Sequence, residues 1–139
     1  MMTAFRPGGP EDLAAVAAIQ SAAPEAAHWN AADYLEHLFW VAVDGSVLAG
    51  FLVMRRVAPD EIEVLNLAVA RSFRRKGIGQ GLLQAALDGF SGDVFLEVRA
   101  SNEGARRFYE NVGFKTLNVR EKYYENPVES AIVMKFHSC

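Results

Sequence analysis

Ile62-Glu63-Val64-Leu65-Asn66-Leu67-Ala68-Val69, and then Arg74-Arg75-Lys76-Gly77-Ile78-Gly79-Gln80-Gly81, is the stretch that decides the fold. The first segment reads as a strand. Ala70 to Lys76 is polar and basic, and from Gly77 to Phe90 the period becomes helical, with Leu82, Leu83, Ala86, Leu87 and Phe90 on one face. A glycine-rich turn therefore joins a strand to a helix. Without a Cβ, its glycines let a ligand approach the backbone. The first N–H groups of the helix lack intrahelical acceptors. With the helix dipole they suit an anion such as a pyrophosphate. Arg71, Arg74, Arg75 and Lys76 add positive charge beside them. The plainer reading is a solvated basic run opening a helix. It leaves three glycines where each loses roughly 0.5–1 kcal/mol against alanine, a cost that asks for a reason. Two other phosphate motifs fail. Leu82 stands where a Walker loop needs Lys-Ser/Thr and where a dinucleotide fingerprint needs its third glycine.

Outward from this junction the chain alternates strands and helices. Thr3 to Arg6 reads as a short strand, and Gly8-Gly9-Pro10 opens a helix carrying Leu13, Val16 and Ile19 to about Ala22, ended by Ala23-Pro24. Asn30 reads as the N-cap of a second helix to about His37. Phe39 to Val43, Ser46 to Arg56 and Ile62 to Val69 form a meander turned by Asp44-Gly45 and by Ala58-Pro59-Asp60-Glu61. Beyond the glycine turn come a strand at Val94 to Arg99 and a helix from Glu103 to Asn111, closed by Gly113. Strands at Phe114 to Tyr123 and Ser130 to Phe136 complete the pattern. The order β-α-α-β-β-β-α-β-α-β-β predicts an α/β fold, a mixed sheet with helices on its faces.

The 139 residues fit one continuous domain. With 51% apolar and 22% charged residues, the chain has the balance of a folded globule. No run approaches the ~18–20 uncharged apolar residues of a membrane helix, and Pro7 interrupts a start that has no signal core. The single cysteine, Cys139, makes neither an internal disulfide nor a cysteine-based metal cluster, and His28, His37 and His137 have no metal-ligand spacing. A reducing cytoplasm is the expected setting. The net charge of -3 disfavours nucleic-acid binding and mildly favours a basic partner.

Arg74-x-x-Gly77-x-Gly79 resembles the acetyl-CoA-binding motif of the GNAT N-acetyltransferase superfamily, and the element order resembles that fold, a mainly antiparallel central sheet with helices on both faces. The resemblance narrows further along the chain. Glu63 to Val69, Leu96-Glu97-Val98-Arg99-Ala100-Ser101-Asn102, Phe108-Tyr109-Glu110-x-x-Gly113-Phe114, Arg120-x-x-Tyr123-Tyr124 and Ala131-Ile132-Val133-Met134 are similar to the RimI group of ribosomal-protein-alanine N-acetyltransferases. The resemblance implies acetyl-CoA as cosubstrate, with backbone amides of Arg75, Lys76, Gly77, Ile78, Gly79, Gln80 and Gly81 on its pyrophosphate. Leu67-Ala68-Val69 would pair with the pantetheine arm, and Asn102 would add a side-chain contact. It also implies an acceptor at the basic N-terminus of a small-subunit ribosomal protein whose first residue is alanine. A small-molecule amine or a lysine is the alternative acceptor, and a CoA-binding module without turnover the alternative class.

Acetyl transfer to an amine needs a neutral nucleophile and a proton for the leaving thiolate. An α-amine with pKa near ~7.7–8.0 asks little of a base at neutral pH. Alternation puts Phe95, Glu97 and Arg99 on one face of their strand and Val94, Leu96 and Val98 on the other. From spacing alone, Glu97 is a solvated glutamate, a partner of Arg99, or a base facing a cleft. Tyr109 lies in a stripe with Ala105, Phe108 and Val112, which suits core packing or a phenolic acid. The resemblance assigns Glu97 as catalytic base and Tyr109 as the acid that protonates CoA. Asn102 reads as the cap of the helix at Glu103. Trp29, Tyr34, Tyr123 and Tyr124 read either as acceptor walls or as packing.

Overall fold

The computed structural model describes residues 3–23, 30–124 and 128–139. The strands are β1 (Thr3–Pro7), β2 (Leu38–Asp44), β3 (Val47–Ala58), β4 (Glu61–Val69), β5 (Gly92–Arg99), β6 (Lys115–Tyr124) and β7 (Glu129–Ser138); the α-helices are α1 (Leu13–Ala22), α2 (Ile78–Ala86) and α3 (Glu103–Asn111). Hydrogen-bonded neighbours run β1-β2-β3-β4-β5-β7-β6. The β1/β2, β2/β3, β5/β7 and β6/β7 pairs are antiparallel and β4/β5 is parallel, so the fold is a mixed α/β one with a mainly antiparallel sheet. The chain divides into two compact units, Met1–Arg56 with Leu65–Asp88, and Val57–Val64 with Gly89–Cys139.

In the first unit the apolar stripe of α1 meets the meander. Val16, Ile19, Tyr34, Phe39, Val41, Phe51, Val53 and Ala68 are buried together. Tyr34 is fully buried, with its ring 5.8 Å from Phe51 and 6.0 Å from Phe39, so it is a core residue and not an acceptor wall. Three helix assignments need correction. The turn at Pro10–Asp12, expected to open the first α-helix, is 3-10, and α1 begins at Leu13. Asn30 caps as expected, its side chain accepting from the Ala32 amide at 3.1 Å, but the segment it opens is a 3-10 helix, Ala31–Glu36, too short for the periodicity to distinguish. α2 ends at Ala86, not Phe90, because the chain turns through Gly89 at φ +80°.

The entry to α1 is tied by Asp12. Its carboxylate accepts from both Arg6 nitrogens at 2.8 and 2.9 Å and from the Gly9 amide at 2.8 Å. The Arg6 hydrogen bonds hold the Asp12 carboxyl below its usual range. A depressed carboxylate stabilises the fold above the unfolded value near ~3.9 and loses that contribution as pH falls through its folded value. Asp12 is 6% exposed while the Arg6 side chain is 43% exposed. Allowing for solvent screening on the arginine side, Asp12→Asn is expected to cost about 1–2 kcal/mol at pH 7. Urea melts at pH 7 and at pH 2.5 check this, since the difference from wild type should shrink at the lower pH.

In the second unit, alternation along β5 buries Val94, Leu96 and Val98 and turns Asp93, Phe95, Glu97 and Arg99 to the opposite face, as predicted. β7 runs the whole length of β5, from Gly92↔Ser138 to Arg99↔Ala131. α3 has the expected bounds. Its Tyr109 packs edge-on against Phe108 and Phe114, at 5.1 and 5.3 Å, and Phe114 meets Phe136 at 5.4 Å.

Candidate functional site

The candidate site residues divide between the two units. In the first, β4 alternates so that Asn66 and Ala68 are buried while Leu67 and Val69 are half-buried on the other face. The chain then takes one 3-10 turn, Arg71–Phe73, and Arg74 folds back so that its Nε donates to the Val69 carbonyl at 3.2 Å. Arg75 and Gly77 both adopt left-handed backbone, at φ +63° and +77°, and Gly77 is the N-cap of α2. Left-handed residues in such a turn expose successive amides as an anion-binding concavity. The first hydrogen bond into α2 from its cap runs from the Gly81 amide to the Gly77 carbonyl at 2.9 Å. Among the described residues no backbone acceptor meets the amides of Arg75, Lys76, Gly77, Ile78, Gly79 or Gln80. A Cβ at Gly77 would meet open space, so glycine is needed there for its φ and not for room. Gly77→Ala is expected to cost about 1–2 kcal/mol and Gly77→Asn appreciably less, since asparagine tolerates the left-handed region. Chemical denaturation of the two variants side by side measures the difference.

Gly81 needs a different account from the one its spacing suggested. A Cβ there would lie 2.3 Å from Cζ of Phe5, so this glycine makes room for β1 under α2. Its amide is already bonded to Gly77, which removes Gly81 from the set of open donors. Ile78 and Gly79 are buried, while Arg75, Lys76 and Gln80 are exposed at the mouth of the turn.

Behind β4 lies a polar network that motif reading missed. Tyr34 donates to Gln20 Oε1, and the Asn66 side-chain amide lies 3.2 Å from that oxygen and 3.1 Å from the Tyr34 hydroxyl. All three residues are buried, and burial pushes the Tyr34 phenol up. The signal was available in the alternation: Asn66 occupies an inward position between Val64 and Ala68, where an apolar residue is expected. The network anchors β4 to α1 and to the 3-10 segment just before Leu67.

In the second unit Glu97 is paired, but not with Arg99. Its Oε1 accepts from Arg120 Nη1 at 2.5 Å, and the Arg120 guanidinium lies 4.1 Å from the centre of the Tyr123 ring. The Glu97 hydrogen bond pushes the Arg120 guanidinium up. Arg99 instead reaches Glu129 at 3.2 Å and lies 4.2 Å from the Tyr124 ring centre. Glu129 also accepts from the Ser101 amide and hydroxyl, and the Ser101 amide is the largest cause holding its carboxyl below the usual range. Asn102 caps α3, its side-chain oxygen accepting from the Ala105 amide at 3.2 Å. Tyr109 is 8% exposed, and burial drives its phenol well above the usual value, so it stays protonated across the neutral range. Tyr123 is exposed and Tyr124 half-buried, whereas Trp29 and His28 lie outside the described residues. Among the described residues no group of histidine, cysteine and carboxylate side chains is placed to hold a metal ion.

Known proteins are similar to this chain in sequence and in fold. The N-alpha-acetyltransferase RimI of Mycobacterium tuberculosis is 36% identical over 88 residues, which is 63% of this chain and 56% of that protein. The crystal structure of the ribosomal-protein-S18-alanine N-acetyltransferase from Escherichia coli superposes with a TM-score of 0.81 at 27% identity, covering 98% of this chain and 94% of that one. That of Ard1 from Thermoplasma volcanium gives 0.87 at 27% identity, covering 99% and 98%. The first three curated relatives are matched over only 24%, 56% and 62% of their own length. Residues 11–114, from just before α1 through the glycine turn to just past α3, match the model of the Acetyltransferase (GNAT) family, and the chain belongs to that family.

Proposed function

We propose that this protein is an acetyl-CoA-dependent N-acetyltransferase that transfers acetyl directly to the α-amine of a protein N-terminus, with the alanine N-terminus of a small-subunit ribosomal protein as its acceptor. The observation that carries the reading is the row of amides from Arg75 to Gln80 that meets no backbone acceptor among the described residues, opened by left-handed residues at 75 and 77. Such a row is suited to the diphosphate of CoA. Leu67, Ala68 and Val69, immediately upstream on β4, are assigned to the pantetheine arm, and Arg74, Arg75 and Lys76 to its phosphates. Asn102 is assigned a further contact with the cofactor. The name of the Escherichia coli neighbour, an S18-alanine N-acetyltransferase, supports the choice of acceptor.

The chemistry assigned to the second unit follows from its groups. One oxygen of Glu97 is held by Arg120, so the other remains to take the proton of the acceptor ammonium, directly or through one water. The amine attacks the thioester carbonyl, the tetrahedral intermediate collapses, and the C–S bond breaks. Tyr109, kept neutral by burial, supplies the proton to the departing sulfur. The products are the N-acetylated acceptor and free CoA thiol.

Thiol release tests the reading. With acetyl-CoA and a peptide that begins with alanine followed by basic residues, free thiol should appear well above background and in step with acetylated peptide. Release only with small amines or with lysine side chains would move the acceptor class. No release with any amine, despite CoA binding, would leave a CoA-binding module.

A further inference from the structure

The sheet face that carries Glu97 repeats one motif. Arg99 and Arg120 both lie opposite Ala131 in the β5-β7-β6 register, on either side of it. Each arginine bonds a glutamate and lies over a tyrosine ring. Arg120 has Glu97 and Tyr123; Arg99 has Glu129 and Tyr124. The two rings meet edge-on at 5.3 Å. Ala131 is fully buried between the two arginines, and no larger side chain separates them. The Glu129 set has a structural task, since Glu129 also ties down the Ser101 amide and hydroxyl ahead of α3. Among the described residues, the hydrogen bond that holds the Glu97 carboxylate comes from the Arg120 guanidinium, which lies over the exposed Tyr123 ring.

We propose that Arg120 is the positioning residue for Glu97, an inference that rests on Glu97 being the base of the reaction above. The guanidinium fixes Oε1 and leaves Oε2 as the oxygen that meets the acceptor amine. The Tyr123 ring, 4.1 Å from the guanidinium, braces it, so that the direction of its Nη1 hydrogen bond and not merely its charge sets the carboxylate's orientation. Among the described residues the other charged or titratable groups of this face include Lys115, which lies opposite Lys135, the Lys135–Asp93 pair at 3.4 Å, His137 on Asp93 at 2.8 Å, the Arg99–Glu129 pair, and Tyr124, whose phenol is pushed up by burial and by the Glu97 charge. Among the described residues, the cation that hydrogen-bonds Glu97 is Arg120.

The test is steady-state kinetics of Arg120→Met and Arg120→Lys with acetyl-CoA and one alanine-led peptide near neutral pH, with CD melts to show that each variant is folded. For Arg120→Met, kcat should fall roughly 10–100-fold with the KM for acetyl-CoA unchanged, as expected for a misaligned base. Arg120→Lys keeps a cation without the planar donor, so it should recover part of the loss, with kcat only several-fold below wild type. A folded Arg120→Met with wild-type kcat overturns the inference while leaving the acetyltransferase reading standing. A Met variant whose loss lies in the KM for acetyl-CoA and not in kcat also overturns it, because a misaligned base leaves cofactor binding unchanged. Wild-type protein that releases no thiol with any amine removes the parent reading, and the inference falls with it.

Discussion

Glu97→Gln is expected to lower turnover at pH 7 by about 10²–10⁴-fold, the usual worth of a positioned general base. The substitution is chosen to remove basicity and little else. A glutamine oxygen still accepts from Arg120, which sits 2.5 Å from Oε1, so the side chain should keep its place on the β5 face. The deficit should shrink as pH rises. An α-amine with pKa near ~7.7–8.0 increasingly supplies its own neutral form above that range and needs the base less. The check is a pH series of initial rates, wild type against variant, with one alanine-led peptide. A variant as active as wild type at pH 7 would remove Glu97 from the mechanism and leave it as a surface partner for Arg120. A deficit that stays constant to pH 9.5 would mean that Glu97 positions the acceptor and does not take its proton.

Gly92→Ala is expected to cause a large loss of stability. Gly92 opens β5 at φ +152°, where L residues are strained, and an added Cβ would lie 2.2 Å from the Asp60 carbonyl oxygen and 2.7 Å from its carbon. Both obstacles are backbone, so no side-chain rotation relieves them. The same carbonyl accepts from the Asp93 amide at 2.9 Å, and the parallel rungs Glu61↔Asp93, Ile62↔Val94 and Glu63↔Phe95 begin there. Strained backbone and overpacking each cost about 1–3 kcal/mol, so a total of about 3–5 kcal/mol is expected. Gly89→Ala is the control. Gly89 is also left-handed, at φ +80°, but an added Cβ meets nothing within 4 Å, and its cost should be near 1–2 kcal/mol. Urea denaturation gives both values. Equal losses in the two variants would contradict the packing at the start of β5.

Local signals in the chain mark much of this fold. α3 runs from Glu103 to Asn111 as its stripe and its Asn102 cap indicate, and β5 alternates as written. These elements were legible because their boundaries are set within a few residues, by a cap, a glycine or strict alternation. Features set by distant residues were not legible. Arg120 is the partner of Glu97 only because β7 pairs on one side with β5 and on the other with β6, a relation no local window contains. Gly81 looked like part of the anion turn, but its reason is the Phe5 ring from the other end of the unit. Tyr34 offered the same pattern whether it lined a cleft or filled a core, and only its partners Gln20 and Asn66 decide for the core. The Ala31–Glu36 segment carries a good cap and a short apolar stripe, which serve a 3-10 helix as well as an α-helix.

The central claim is that the backbone amides at the start of α2 hold the diphosphate of CoA. A crystal structure of this protein with CoA tests it most directly. The predicted result is a diphosphate within hydrogen-bond distance of amides between Arg75 and Gln80, with Gly77 still left-handed and the Gly81 amide still bonded to the Gly77 carbonyl. A diphosphate bound elsewhere on the chain, with those amides facing only solvent or side chains, would contradict it.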